Sequence, residues 1–446
     1  MPGSEPPLRH SWLSSDRPVP RLIARPMRTF LRTEAAGGVV LLTATVLALA
    51  WANSPFRAGY ESVWATELRF SIGAFEVSGD LRHWVNDALM AIFFFVVGLE
   101  IKREVVTGEL NEVRKAMLPA VAAVGGMILP ASIYLALNAG GEGARGWGIP
   151  MATDIAFSVG LLALLSESVP SGLKVFLLTL AIVDDVGVLL AIALFYSGGL
   201  GSGWLVAAVV LVAAILALRR VKVFWIPAYV VLGGALWFVT LQSGVHATLA
   251  GVVLGLLTPA RASDPGGFDD VVVGVEGVAR EPDAEAVHAM TLQAKEVVSV
   301  AERLEHLLHP WTSYAVVPLF ALANAGLELD LDRLGGALGS SVGLGVVAGL
   351  VVGKTVGITG ASWLAVKLDL GRLPEGVGWA HIVGGAAVAG IGFTVSLFII
   401  GLAFEAPGLV EGAKTGVLVG SLIAGAVGAI ALRSVAIRAR RRGLTG

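Results

Sequence analysis

The sequence predicts an all-α polytopic membrane protein of about twelve transmembrane helices. Three observations predict it. Of the 446 residues, 55% are hydrophobic and only 15% charged, with a mean hydropathy of +0.78, whereas a soluble domain carries roughly a quarter charged residues. Apolar runs recur that match the about 20 helical residues needed to cross a bilayer core. Lys and Arg gather in alternate loops, which is the positive-inside pattern. The 57 glycines are spread through the apolar runs, as where helices pack closely in lipid. The lack of cysteine excludes disulfides, thiolate metal sites and cysteine nucleophiles. A net charge of −2 gives no sign of a nucleic-acid partner.

Residues 1–34 carry Arg9, Arg17, Arg21, Arg25, Arg28 and Arg32 with several prolines. No short apolar stretch with a small-residue cleavage site follows, so they read as a cytoplasmic tail. Spans are expected at 35–52, 85–107, 118–137, 150–165, 174–195 and 204–218, then at 224–241, 245–258, 311–325, 342–366, 379–404 and 408–432. The fourth, eighth and ninth are short. Together they make a transmembrane domain over 35–435, closed by a basic tail at 436–446. Lys102, Arg103, Arg114, Lys115, Lys174, Arg219, Arg220, Lys222, Lys367, Arg372 and the cluster at 433–442 fall on one side with the N-terminal arginines. The loops at 196–203 and 242–244 contain neither Lys nor Arg, so both termini are expected to be cytoplasmic. On the outer side, residues 67–78 alternate apolar and polar around Gly73-Ala74 and read as a short β-hairpin, the plainer alternative being an irregular loop. The longest loop, 259–309, opens with turn residues and ends in a helical pattern. Val297, Val300, Leu304, Leu307 and Leu308 share one face there, so the segment lies on the membrane surface or caps the bundle.

Function is read from charges inside apolar runs, where each costs roughly 2.5–3.5 kcal/mol on insertion scales. Asp184 and Asp185 interrupt the run 177–190. Adjacent helical positions point about 100° apart, so one carboxylate is free to bind an ion while the other pairs with a base. Two carboxylates this close repel, which favours a proton on one of them and makes an exchangeable proton site. Lys354 stands alone in the run 349–357 and must find a carboxylate or lose its proton. Thr153 and Asp154 follow Pro150 and lie between Gly148 and Gly160, which suggests an interrupted helix whose ends line a cation site. A second glycine-broken stretch runs from Gly384-Gly385 to Thr394. Plainer alternatives are an aspartate pair that only satisfies neighbouring helices, a purely structural ion pair at Lys354, and an ordinary helix start at Thr153. Two broken spans in the two halves of a chain point to an inverted-repeat transporter fold with two interrupted crossing helices.

Motifs at these positions carry a resemblance: WVNDALMA at 84–91, GLEIKRE at 98–104, ATDIAF at 152–157, AIVDDVG at 181–187, SGVHATLAG at 243–251, LEHLLHPW at 304–311, PLFALANAG at 318–326 and GIGFT at 390–394. Each is weak alone, but their joint order from about residue 30 to 435 resembles the NhaA-type sodium/proton antiporters. The resemblance implies twelve helices in a bacterial inner membrane and a homodimer held through the outer hairpin. It implies Asp185 as the principal ion- and proton-binding carboxylate, with Asp184 beside it and paired with Lys354 in the ion-free state. Asp154 and Thr153 would support the crossing helices. It also implies a pH-sensing cluster at the cytoplasmic mouth, with Glu100, Arg103 and Glu104 on one side and Glu305, His306 and His309 on the other, and His246 as a further regulatory position. The bland reading of these residues is solvated loop charge. The Arg-rich tail and the long loop at 259–300 exceed the family pattern.

The expected activity is electrogenic exchange of sodium or lithium for protons, regulated by pH, with no cofactor. Cation and proton compete for the same carboxylates while the bundle alternates access. Two other classes fit the sequence less well. An intramembrane aspartyl protease needs two aspartates on separate helices, whereas the prominent pair here is adjacent, and the Gly-x-Gly-Asp motif is absent. A passive sodium channel would use rings of acids along a water-filled pore, which buried Lys354 and broken helices at mid-depth fit less well.

Overall fold

The structure, a computed structural model, describes residues 35–72, 75–165, 169–198, 201–221, 226–262, 267, 271–272, 274–275 and 283–441. The N-terminal tail at 1–34, the turn expected at Gly73-Ala74, Lys222, most of 263–282 and the last residues of the basic tail, 442–446, lie outside the described residues.

Helix α1 (Ala36–Ala52) turns through 116° at Asn53-Ser54-Pro55 into a short helix, α2 (Arg57–Trp64). Asn53 fixes the corner: its side-chain amide donates to the carbonyls of Leu49 and Leu327, and its oxygen accepts from Leu329 N. The hairpin follows, with β1 (Glu67–Ile72) antiparallel to β2 (Phe75–Asp80), Glu67 opposite Asp80 and Ile72 opposite Phe75. Asp80 ends the strand and caps the next helix by accepting from His83 N.

Six helices among the described residues are long and apolar enough to span: α3 (Leu81–Val106), α4 (Val113–Asn138), α6 (Ser171–Tyr196), α7 (Ser202–Arg220), α14 (Ser341–Lys367) and α17 (Pro407–Arg441). Between them lie α5 (Ile155–Leu164), α8 (Ile226–Gln242), α9 (Thr248–Leu257), α10 (Ala284–Val297), α11 (Val300–Trp311), α12 (Val317–Asn324), α13 (Leu331–Gly339), α15 (Trp379–Val388) and α16 (Phe393–Ala403). Over its described residues, every segment expected to span falls on α1 or on one or more of these helices. The fourth and eleventh expected spans are broken: a 3₁₀ segment, Glu142–Met151, meets α5 at 40°, and α15 meets α16 at 48°.

Boundaries differ from expectation at three places: Val297 closes α10 and stands on a different helix from Val300, Leu304, Leu307 and Leu308, the tail expected from 436 continues α17 to Arg441, and a third change lies around 309–325. The surface helix anticipated before 309 and the span anticipated at 311–325 are one continuous helix, α11 running through a π-helical turn, Thr312–Val316, into α12. The chain continues helically through Pro310, so Glu305 and His309 stand on the same rod as the buried span.

Close packing brings the site together. Gly125 of α4 lies so near Gly357 of α14 that a methyl group on either would meet the other's carbonyl oxygen. Small residues let helix backbones approach in lipid. Gly126, the next residue, leaves room for the Ile358 side chain, whose Cγ1 a methyl group there would meet at 2.6 Å. Another π-helical turn, Gly349–Gly353, immediately precedes Lys354; such insertions are frequent at functional sites.

Candidate ion-binding site

The centre of the molecule is a crossing of two broken helices. Backbone between half-helices has polar groups with no intrahelical partner, and in an apolar interior these must be satisfied by the other strand of the crossing. They are. Asp154 N donates to Ile391 O at 2.6 Å, Thr153 Oγ1 to Ala389 O at 2.9 Å and Ser396 Oγ to Ile149 O at 2.6 Å. The carboxylate of Asp154 serves both helices that start here. Its Oδ1 accepts from Phe157 N of α5 at 3.0 Å, and its Oδ2 accepts from Thr394 N at 2.9 Å and Thr394 Oγ1 at 2.6 Å on α16. One negative charge therefore sits at two helix N-termini, where the helix dipoles favour it.

Asp184 and Asp185, on α6, diverge as adjacent helical positions must. Asp184 is fully buried and accepts from Lys354 Nζ at 2.6 Å, and Lys354 is fully buried too. Lys354 Nζ also donates to Thr153 Oγ1 at 2.9 Å, tying the ion pair to the crossing. The second oxygen of Asp184, Oδ1, has no hydrogen-bond partner among the described residues. Asp185 is 7% exposed and lines a cavity of about 540 Å³. That cavity also reaches Thr153, Asp154 and Thr394 at its depth, and Glu100, Arg103, Glu305 and His309 toward the basic face. A hard cation prefers such carboxylate, hydroxyl and carbonyl oxygens.

At the mouth, Arg103 Nη2 lies 3.1 Å from Glu104 and Arg103 Nη1 3.0 Å from Glu305, bridging α3 and α11. Burial pushes the Glu305 carboxyl above the usual carboxylate range, against the pull of Arg103. Burial, with the positive charges of His306 and Arg103, holds His309 below the ordinary imidazole range.

The sequence matches the Na+/H+ antiporter 1 family over residues 28–432. The chain belongs to the NhaA Na+/H+ antiporter family. It is 46% identical over 411 residues to Na(+)/H(+) antiporter NhaA 3 of Frankia alni, covering 92% of this chain and 89% of that protein. It is 44% identical over 440 residues to Na(+)/H(+) antiporter NhaA of Oleidesulfovibrio alaskensis, covering 96% and 97%. Rhodopirellula baltica has a relative of the same name that is 46% identical over 420 residues, covering 92% and 94%. Members of this family are transporters, not enzymes, and this NhaA-family chain is a multi-pass membrane protein.

In this NhaA-family chain the structure brings Asp154, Thr153, Asp184, Asp185 and Lys354 into one centre, and Glu100, Arg103, Glu104, Glu305 and His309 to one cavity mouth or its rim. His306 is exposed on the same helix. His246 does not join them. Its Nε2 meets Tyr196 O at 2.8 Å, at the far end of α6, near Asp87. Asp87 and Glu104 are about 25 Å apart along α3 at about 1.5 Å per residue. Two residues absent from the expected site are Thr394, which supplies two of the three bonds on Asp154, and Ser396. A hydroxyl residue just after the glycine break at 390–392 was the available sign, since such residues gather at helix starts.

Proposed function

We propose that this chain exchanges sodium, and lithium, for protons across the bacterial inner membrane, with both termini cytoplasmic. The carrying observation is the cavity that runs from the basic face to Asp185, beside the Lys354–Asp184 pair and under the crossed helices. Asp185 is the carboxylate at which cation and proton compete. With a cation bound, the site holds an extra positive charge beside Lys354, which favours release of protons into the cavity. Asp184 and Lys354 supply the second titrating group, so more than one proton moves per sodium and the membrane potential drives the cycle. Asp154 and Thr153 hold the crossing in register while the bundle alternates access. Glu100, Arg103, Glu104, Glu305, His306 and His309 adjust access to the mouth as pH changes, and His246 contributes from the other end. The hairpin β1–β2 joins two copies of the chain.

Reconstituted proteoliposomes test this. Uptake of radioactive sodium driven by an outward-directed proton gradient, accelerated by an imposed potential of the right sign, is the expected result. Sodium flux that proceeds with no proton counterflow is the outcome of a channel and sinks the exchanger.

A further inference from the structure

Helix α6 is a wall of two chambers. Asp185 opens on the ion cavity, while Val186, Leu189, Leu190 and Ala193, on the adjacent face, line a second groove of about 470 Å³. Across it stand Ala208 and Val209 of α7 and Leu249 and Val253 of α9. Leu190 is 57% exposed and Val209 68%, so the groove opens sideways onto the apolar surface that faces lipid. Its polar side chains among the described residues are two hydroxyls, both already committed: Thr240 Oγ1 donates to Leu236 O and Ser243 Oγ to Thr240 O, each at 2.7 Å. The two sides of the groove are tied to different neighbours. On one side α9 is clamped to α3, where a methyl group on Gly251 would meet Ala91 O and one on Gly255 would meet Phe95 O. Ile215, Leu236 and Ala250 join α7, α8 and α9 in an apolar core of their own. On the other side α6 packs on α4, where Gly187 leaves room for the Met127 sulfur. At the end away from the basic face α6 meets the α7–α9 unit, through Gly198 N donating to Gly244 O and Gly201 N to Ser243 O, both at 3.0 Å.

We propose that this groove binds one acyl chain of a membrane phospholipid, and that the chain spaces α6 from α7 and α9 while the ion site changes sides. The second half of the proposal rests on the antiporter reading above. A ligand with hydrogen-bonding groups finds no side chain free to receive them here, and a held water needs about two to four polar partners. Hydrocarbon is the chemistry that fits. The volume lies within the roughly 300–1,000 Å³ of a small-molecule site. Helices in lipid gain little from burying apolar surface and depend on close packing, so a void along α6 would forfeit dispersion contacts that a chain restores. α6 carries Asp184 and Asp185 and is joined to the α7–α9 unit at its far end, so a tilt about that joint changes the width of the groove and the aim of Asp185 together. A chain held in the groove favours the arrangement in which it is wide, with Asp185 open toward the basic face.

The test places the full-length chain in phosphatidylethanolamine/phosphatidylglycerol vesicles that contain a phosphatidylethanolamine with a diazirine at mid-chain. After illumination, adducts are mapped on peptides. They should appear at Leu190, Val209 and Leu249 in severalfold excess over Leu422, which is 74% exposed on α17. Ala208→Trp fills the groove from α7, and should abolish that excess and slow sodium-driven proton movement severalfold. Ala193→Phe fills it from α6 and should do the same, which keeps the test open if the first variant does not fold. Labelling in the groove equal to that at Leu422 means bulk lipid, and weaker labelling means that a second copy of the chain covers it; either result overturns the proposal. It is equally overturned if a folded variant that has lost the adducts exchanges as fast as the parent. Should neither variant fold, the labelling of the parent still decides. Failure of the parent to exchange sodium would remove the antiporter reading instead, and the labelling is read without any transport.

Discussion

Replacing Asp154 with asparagine changes one atom's chemistry and leaves the shape of the crossing intact. In the native chain the carboxylate accepts three hydrogen bonds, from Phe157 N, Thr394 N and Thr394 Oγ1. An asparagine side chain offers one oxygen and one NH2. The Thr394 hydroxyl rotates and accepts from that NH2, but one of the two backbone N–H groups then faces a donor. Leaving a buried N–H unpaired costs about 1–3 kcal/mol. Losing the charge at a helix N-terminus costs about 0.3–1 kcal/mol per helix when exposed and up to about 2 when buried, and here two helices lose it together. With the exposed value at each helix end the sum is about 2–5 kcal/mol of destabilisation for Asp154→Asn, and more with the buried value, against about 1 kcal/mol for Thr394→Val, which removes a single hydroxyl bond. Chemical unfolding of the detergent-solubilised protein measures both. If Asp154→Asn is no less stable than Thr394→Val, one carboxylate does not hold both helix starts, and the account of the crossing is wrong.

Further outcomes follow from the same geometry. Lys354→Ala should destabilise by about 3–5 kcal/mol, since it strands a buried charge on Asp184; the double variant Lys354→Leu/Asp184→Leu should regain most of that in unfolding experiments while exchange stays lost. Gly357→Val should destabilise by about 1–3 kcal/mol by overpacking the α4–α14 contact, again read from unfolding. The mouth predicts a pH dependence. The raised Glu305 carboxyl favours folding below the ordinary glutamate range and loses that contribution as pH rises through its folded value; the lowered His309 contributes above the ordinary histidine range and loses it as pH falls. The Arg103–Glu305 bridge thus gains its full charge only as pH rises, and Glu305→Gln should flatten the acidic limb of the exchange-rate profile without removing activity at high pH.

Much of this was legible in the sequence for definite physical reasons. Lipid demands long apolar helices, so spans such as α6 and α14 show directly in hydropathy. The cost of a charge in that setting makes Asp184, Asp185 and Lys354 conspicuous. Pro150 and the glycines at 384–392 betray the two breaks, because they remove donors or side chains that a continuous helix needs. What escaped is tertiary. That Asp154 reaches Thr394, 240 positions away in sequence, is a product of the crossing: the local sign marks a hydroxyl at a helix start but not its partner. Pro310 reads as a boundary, yet the helix continues through it into a π-helical turn, so α11 and α12 looked like separate elements. His246 is instructive in the opposite sense. The loop at 242–244 is free of Lys and Arg and hence on the outer side, so the charge pattern already separated His246 from the basic mouth. Its grouping with the other sensing residues came from resemblance, and the structure places it beside Tyr196.

The most direct measurement is the collapse of a preformed pH gradient in everted membrane vesicles on addition of sodium, comparing the parent chain with Asp185→Asn. The expected result is dequenching of a pH-sensitive dye in the parent, with both sodium and lithium, and none in the variant at matched expression. A parent that leaves the gradient untouched contradicts cation/proton exchange, and a variant that dissipates it as fast as the parent contradicts the assignment of Asp185 as the carboxylate where the two substrates compete.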